Sequence, residues 1–158
     1  MAYLIDGNNL LGRIAPHELR EPGGREGLVA RLLAFQRVTR TRIHLVFDGS
    51  PDPEPTVHAV HPKFTIHFPG RGQKADDVIG ELIARQTDRR RFFVVSSDRA
   101  IRGLAKSKGL RSVSSDDFAR EVKKAMRERR DQRAMEKKVE DPSPLEIDLW
   151  KDVFRSKP

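Results

Sequence analysis

Three short, dense apolar runs, each closed within three residues by an aspartate, limit what this chain can fold into more than any other feature. Tyr3 to Ile5 ends at Asp6, Ile43 to Phe47 ends at Asp48, and Arg91 to Val95 runs through Ser96-Ser97 to Asp98. The runs are apolar at consecutive positions, as in strands covered on both faces. Helical stripes lie between them. Leu28, Val29, Leu32, Leu33 and Phe35 recur up to about Arg40, and Val78, Ile79, Leu82 and Ile83 mark a helix from Ala75 to about Thr87. Ile101, Leu104 and Ala105 mark a shorter one. Strands alternating with helices predict an α/β fold, a mostly parallel central sheet with helices on both faces.

The remaining segments fit around that sheet. Pro51 to Pro55 reads as a loop. Phe64 to Phe68 alternates apolar and polar residues, which predicts an edge strand exposed on one face. Arg111 to Ser114 reads as a short strand, and Ser115-Asp116-Asp117 caps a last helix reaching about Lys138. The chain divides into one domain over 1–139 and a tail over 140–158. The tail holds Leu145, Ile147, Leu149, Val153, Phe154 and the only tryptophan, Trp150, and is expected to dock on its own domain or on a partner.

Charge points to the partner. Lys and Arg number 31 against 23 Asp and Glu, a formal net charge of +8, and Arg suits bidentate contact with phosphate. Nucleic acid is the expected anion, and a small-molecule phosphohydrolase is disfavoured. Cysteine is absent, which excludes disulfides and thiolate metal sites. The N-terminus lacks the pattern of a secretory signal, and no apolar run approaches the ~20 residues of a membrane helix. A cytoplasmic protein without a membrane partner is expected.

The chemistry rests on carboxylates. Strand ends on one side of a parallel sheet share a face, so Asp6, Asp98 and Asp48 converge there, with Asp76 or Asp77 opening a helix. Crowded carboxylates repel, and a hard cation such as Mg²⁺ relieves that repulsion. Such a site suits phosphodiester hydrolysis. Taken singly, each aspartate has a bland reading as an Asp-Gly turn or a helix cap. Asn8 and Asn9 could cap the first helix, and Asn8 could equally orient a carboxylate or bind phosphate. Ser96 reads as a cap, while Ser97 and Arg99 could bind phosphate. Arg71 and Lys74 lie in a glycine-rich basic loop beside the acids, with Arg13 and Arg102 also candidates for a positive surround. His58, His61 and His67 lack a zinc pattern and read as solvated surface. No P-loop string is present. The acid spacing of haloacid-dehalogenase phosphatases fails because Asn8 stands where a second acid belongs.

The strings IDGNNLLG, VFDG, the glycine-rich segment into KADD, and VVSSD resemble the NYN domain family of PIN-like nucleases, closest to its YacP-like branch. The resemblance covers roughly Met1 to Glu121. It implies a Rossmann-like PIN fold, an Mg²⁺ or Mn²⁺ site and endoribonuclease activity on RNA, ribosome-associated mRNA included. By motif it implies Asp6, Asp76 and Asp98 as catalytic metal ligands, Asp77 and Asp48 as secondary ones, and Asn8 as the motif asparagine. A non-catalytic RNA-binding or ribosome-associated module of the same fold is the competing expectation.

Overall fold

The computed structural model describes residues 1–50 and 52–140, with the side chains of 139 and 140 left aside. The tail and its expected docking lie outside the described residues. Among the described residues six strands and five helices follow in the order β1 (Ala2–Asp6), α1 (Gly7–Ile14), α2 (Gly24–Thr39), β2 (Arg42–Val46), β3 (Thr56–His61), β4 (Phe64–Phe68), α3 (Ala75–Ala84), β5 (Phe92–Val95), α4 (Arg99–Ser107), β6 (Arg111–Val113) and α5 (Ser115–Glu140). They form one sheet in the order β3-β4-β2-β1-β5-β6. Only the β3–β4 pairing is antiparallel. The expected architecture is therefore the observed one.

Each central strand feeds two cores by alternation. Tyr3, Ile5, Ile43, Leu45 and Val95 face α1, α2 and α5. Leu4, Val46, Phe92 and Val94 face α3 and α4. That two-sided burial explains why β1 and β5 are apolar at consecutive positions, while β2 carries Arg42 and His44 among its buried residues. An aromatic cluster seals the first core: Phe118 of α5 lies 5.0 Å from the Tyr3 ring and edge-on to Phe35 at 5.5 Å. The Tyr3 hydroxyl donates to Glu121 Oε1 at 3.0 Å and so ties α5 to β1. Burial, and then the Glu121 carboxylate, raise the Tyr3 pKa well above its ordinary value.

Two expectations about the sheet's far side need correction. Phe64–Phe68 is not the edge, because Thr56–His61 adds a further strand outside it. Val57 and Val60 of β3 are exposed, so no buried face disciplines its pattern, and the sequence offered no strand there. His67 is not solvated surface either. Its Nε2 lies 3.2 Å from Thr65 Oγ1 and 3.4 Å from His44 Nδ1, and burial depresses its pKa to about 4, with the neighbouring His44 and Arg85 acting the same way. His58 and His61 are exposed, as expected. Among the described residues no helix is long and apolar enough to cross a membrane.

Gly7 shows why a glycine follows Asp6. Its φ is not left-handed, so a turn conformation does not demand it. A Cβ there would meet the Phe47 ring at 2.7 Å and the Val46 carbonyl oxygen at 2.8 Å. The side chain is excluded so that α1 can start against the end of β2. Gly7→Ala is expected to cost about 1–3 kcal/mol by overpacking. Chemical denaturation would measure it, and an unchanged midpoint would mean that Phe47 swings aside freely.

Candidate active site

The sheet places the acids by its topology. From β1 the chain builds outward to β2 and β4, then returns to lay β5 on the other side of β1. Such a reversal opens a crevice at the carboxyl ends of the strands. Asp6 and Asp98 stand on either side of it. Asp6 ends β1 and leads into α1 on one face, and Asp98 follows β5 and opens α4 on the other.

Asp6 is only 7% exposed. It caps α1, with Oδ1 accepting the Asn9 amide at 3.4 Å, and its Oδ2 accepts the Ser96 hydroxyl at 3.1 Å. Burial pushes its pKa up to about 6; the bonds from Ser96 and Asn9 oppose the rise, and the charges of Asp76 and Asp48 add to it. Asp98 caps α4 through Oδ1, which accepts the amides of Ala100 at 2.8 Å and Ile101 at 3.2 Å. Its own amide donates to Ser96 Oγ at 3.1 Å. The fully buried Ser96 hydroxyl thus links the two strand ends, donating to Asp6 and accepting from the Asp98 backbone.

The third element is pinned by Asp48. Its Oδ1 accepts the amide of Ala75, the first residue of α3, at 2.9 Å. Its own amide donates to Asn8 Oδ1 at 3.0 Å, and its carbonyl accepts from Arg25 Nη2 at 2.6 Å. The Arg25 guanidinium also lies 5.1 Å from the Phe47 ring centroid. Asp77 turns back on its own helix, its Oδ2 accepting the Lys74 amide at 2.9 Å. Asp76 is exposed and holds no hydrogen bond among the described residues. Its pKa is raised by burial first, then by Asp98, Asp48 and Asp77, while Lys74 opposes the shift. The charges of Asp76 and Asp48 thus act on Asp6, and those of Asp98 and Asp48 on Asp76, although the four come from separate places in the sequence.

The asparagines differ from expectation. Neither caps α1, because the Asp6 carboxylate already does so. Asn8 fixes the Asp48 loop. Asn9 Oδ1 accepts the Ser97 amide at 2.9 Å and the Ser115 hydroxyl at 2.7 Å. Ser97 Oγ accepts the Ser115 amide at 3.1 Å, so this hydroxyl braces the start of α5. Arg71, Lys74 and Arg99 are exposed at the same end of the sheet. Arg13 and Arg102 have protein partners, Asp116 at 3.9 Å and Ser112 Oγ at 3.2 Å. Sequence reading overlooked Arg25, the bond from Ser115 to Asn9 and the bridging role of Ser96. The adjacent polar pairs Asn8-Asn9 and Ser96-Ser97 at two strand exits were the available signal.

Among the described residues no three His, Asp or Glu side chains form a ready cage for a metal ion. The donors are still all carboxylate oxygens, and their mutual repulsion is a charge that a cation would offset. Mg²⁺ binds in this open fashion, through one or two carboxylates, with waters and substrate phosphate completing its shell.

Comparison with known proteins decides the family. The YacP-like NYN domain model matches residues 3–156. The chain belongs to that family. The match extends beyond the Met1 to Glu121 span seen by motif and reaches into the tail. The YacP-like NYN domains are PIN-like nucleases, which supports a ribonuclease role for this chain. The fold resembles two crystal structures of Rae1 (YacP) from Bacillus subtilis. A W164L mutant is 23% identical, with TM-score 0.72 over 94% of this chain and 90% of that one. The other structure is 23% identical, with TM-score 0.70 over 99% and 91%. No curated protein matches the chain.

Proposed function

We propose that this YacP-like NYN domain is a metal-dependent endoribonuclease of the cytoplasm, hydrolysing RNA phosphodiester bonds at the acidic cluster. The carrying observation is the convergence of carboxylates from β1, the β2 exit, the start of α3 and the β5 exit at one end of the sheet, where Asp76 and Asp48 act on Asp6 and Asp98 acts on Asp76. Asp6, Asp76 and Asp98 would hold Mg²⁺ or Mn²⁺, with Asp48 in reserve and Asp77 kept mainly to its cap. The bound cation would supply a Lewis acid for the scissile phosphate and a water of lowered pKa. Ser96 fixes the Asp6 carboxylate and the Asp98 backbone relative to each other. Asn8 and Arg25 hold the Asp48 loop against the start of α3. Lys74, Arg71 and Arg99 offer charge to the phosphates on either side, and Asn8 is close enough to the Asp48 exit to join them. Attack by metal-activated water needs no 2′-hydroxyl nucleophile and would leave a 5′-phosphate.

The test is cleavage of mixed RNA by protein stripped with chelator. Activity is expected to vanish and to return with Mg²⁺ or Mn²⁺, and substrates carrying 2′-deoxy sugars at the cleavage site should still be cut. Cleavage that ignores chelator would sink the metal reading. RNA binding with no cleavage under any metal would favour the non-catalytic module.

A further inference from the structure

His44, Thr65 and His67 take no part in the acidic site, yet their polar atoms meet at one point. Strand alternation brings them there. Ile43 and Leu45 of β2, with Phe64, Ile66 and Phe68 of β4, turn to the first core, so the residues between them face the α3 side of the sheet. Parallel pairing sets His44 beside Thr65 and Val46 beside His67. His44 Nδ1 lies 3.4 Å from His67 Nε2. Thr65 Oγ1 completes a triangle, 3.0 Å from the first nitrogen and 3.2 Å from the second.

Those edges match one face of a coordination polyhedron. Zn–N bonds of about 2.0–2.1 Å at a tetrahedral angle put two donor atoms about 3.3–3.4 Å apart. The separation of the two ring nitrogens is longer than an ordinary hydrogen bond and equals that bite. We infer that His44 Nδ1 and His67 Nε2 bind one borderline-soft dication such as Zn²⁺, with the Thr65 hydroxyl as a third, weaker contact and water in the fourth position. This site is separate from the acidic crevice and does not rest on the nuclease reading.

The rings are held in the form that ligates. Burial, and then His44 and Arg85, depress the His67 pKa to about 4, while burial and then Arg42 lower that of His44. Both imidazoles are therefore neutral near pH 7, as metal binding requires. Each ring is partly exposed, which leaves a path from solvent. The charges of Arg42 and Arg85 oppose any cation, so binding rests on the imidazole bonds. That favours Zn²⁺, Cu²⁺ or Ni²⁺ over Mg²⁺, which prefers oxygen donors. The cation clamps β4 to β2. Because β4 leads through Arg71 and Lys74 into α3 and Asp76, the clamp steadies the strand that delivers the basic loop to the acidic crevice.

Thermal melts of the untagged full-length protein with Zn²⁺ test this. Zn²⁺ at about ten times its dissociation constant should raise the Tm by about 3–6 °C. The rise should be the same in Asp6→Asn and should vanish in His44→Gln and in His67→Gln. Co²⁺, which is paramagnetic, gives a readout that needs no variant to fold: in the wild type it should shift the ring NMR signals of His44 and His67 and leave those of His17, His58 and His61 in place. No rise with Zn²⁺ in the wild type overturns the proposal. So does a rise that both histidine variants keep, a rise lost in Asp6→Asn, which would put the cation in the acidic crevice, or Co²⁺ shifts confined to the exposed histidines.

Discussion

Asp6→Asn is expected to lower RNA cleavage by at least about 100-fold while leaving the metal-free protein as stable as the wild type or more so. The activity loss follows from removing a carboxylate proposed to touch the cation, since even indirect partners of a metal cost about 10–100-fold when changed. The stability gain follows from proton linkage. The ordinary Asp value is 3.8 and the folded protein holds Asp6 at about 6. Between these values the folded state keeps a proton that the unfolded chain has released, so stability falls as pH rises through that window. Above it the buried, ionised Asp6 costs on the order of 3 kcal/mol. Asparagine removes the charge and keeps the helix cap, because Asn and Asp cap equally well. It also takes away the acceptor of the Ser96 hydroxyl, which returns roughly 1 kcal/mol. The net expected gain at neutral pH is about 1–2 kcal/mol.

The pH profile gives a sharper readout than a single melt. His67 is depressed from 6.5 to about 4, so across that interval the unfolded chain binds the proton and stability rises with pH. In the wild type this rise and the Asp6 fall oppose each other. In Asp6→Asn the Asp6 fall is gone, so its thermal stability in chelator should climb relative to wild type between about pH 3.8 and 6 and run parallel to it above that. A large loss of stability in the variant would instead mark Asp6 as a structural cap and remove it from the mechanism.

The fold and the acids were legible for the same reason. β1, β2 and β5 are largely buried on both faces, so their sequences are densely apolar, and each is closed within three residues by an acid. Parallel pairing then puts those ends side by side: Asp6 is in register with Val46, and Ile5 with Val95. β3 was illegible because it is an exposed edge with no core to pattern it. Its register with β4 slips between Ala59 and His61, which blurs any alternation further. His67 misled because its partners, His44 and Thr65, come from the neighbouring strand and its own strand, a pairing invisible until the register is known. Ser96 and Asn9 are similar cases. Each satisfies groups 88 to 106 residues away, and a buried serine looks like a cap until its acceptor is placed.

RNA binding should weaken steeply with salt, and neutralising Arg71 and Lys74 together should make it less steep. Each phosphate neutralised on a single strand contributes about −0.7 to the slope of log K against log salt. With six contacts, affinity should fall by about 300-fold between 50 and 200 mM salt. The loop carrying Arg71 and Lys74 is held in place: the Arg71 amide donates to the Pro53 carbonyl at 3.3 Å, and Lys74 leads directly into α3. Both side chains are exposed, and Lys74 stands near enough to Asp76 to lower its pKa. A polyanion approaching the acidic crevice meets these charges before it meets the carboxylates. Replacing both with Gln is expected to flatten the slope by about 1.4 and to weaken binding at low salt by roughly tenfold. Metal affinity, followed by Mn²⁺ binding in the absence of RNA, should change little, because the carboxylates are untouched. Parallel salt series for the two proteins decide the matter. Coincident slopes would show that this loop does not touch RNA, and the basic face of α5 would then be the binding surface.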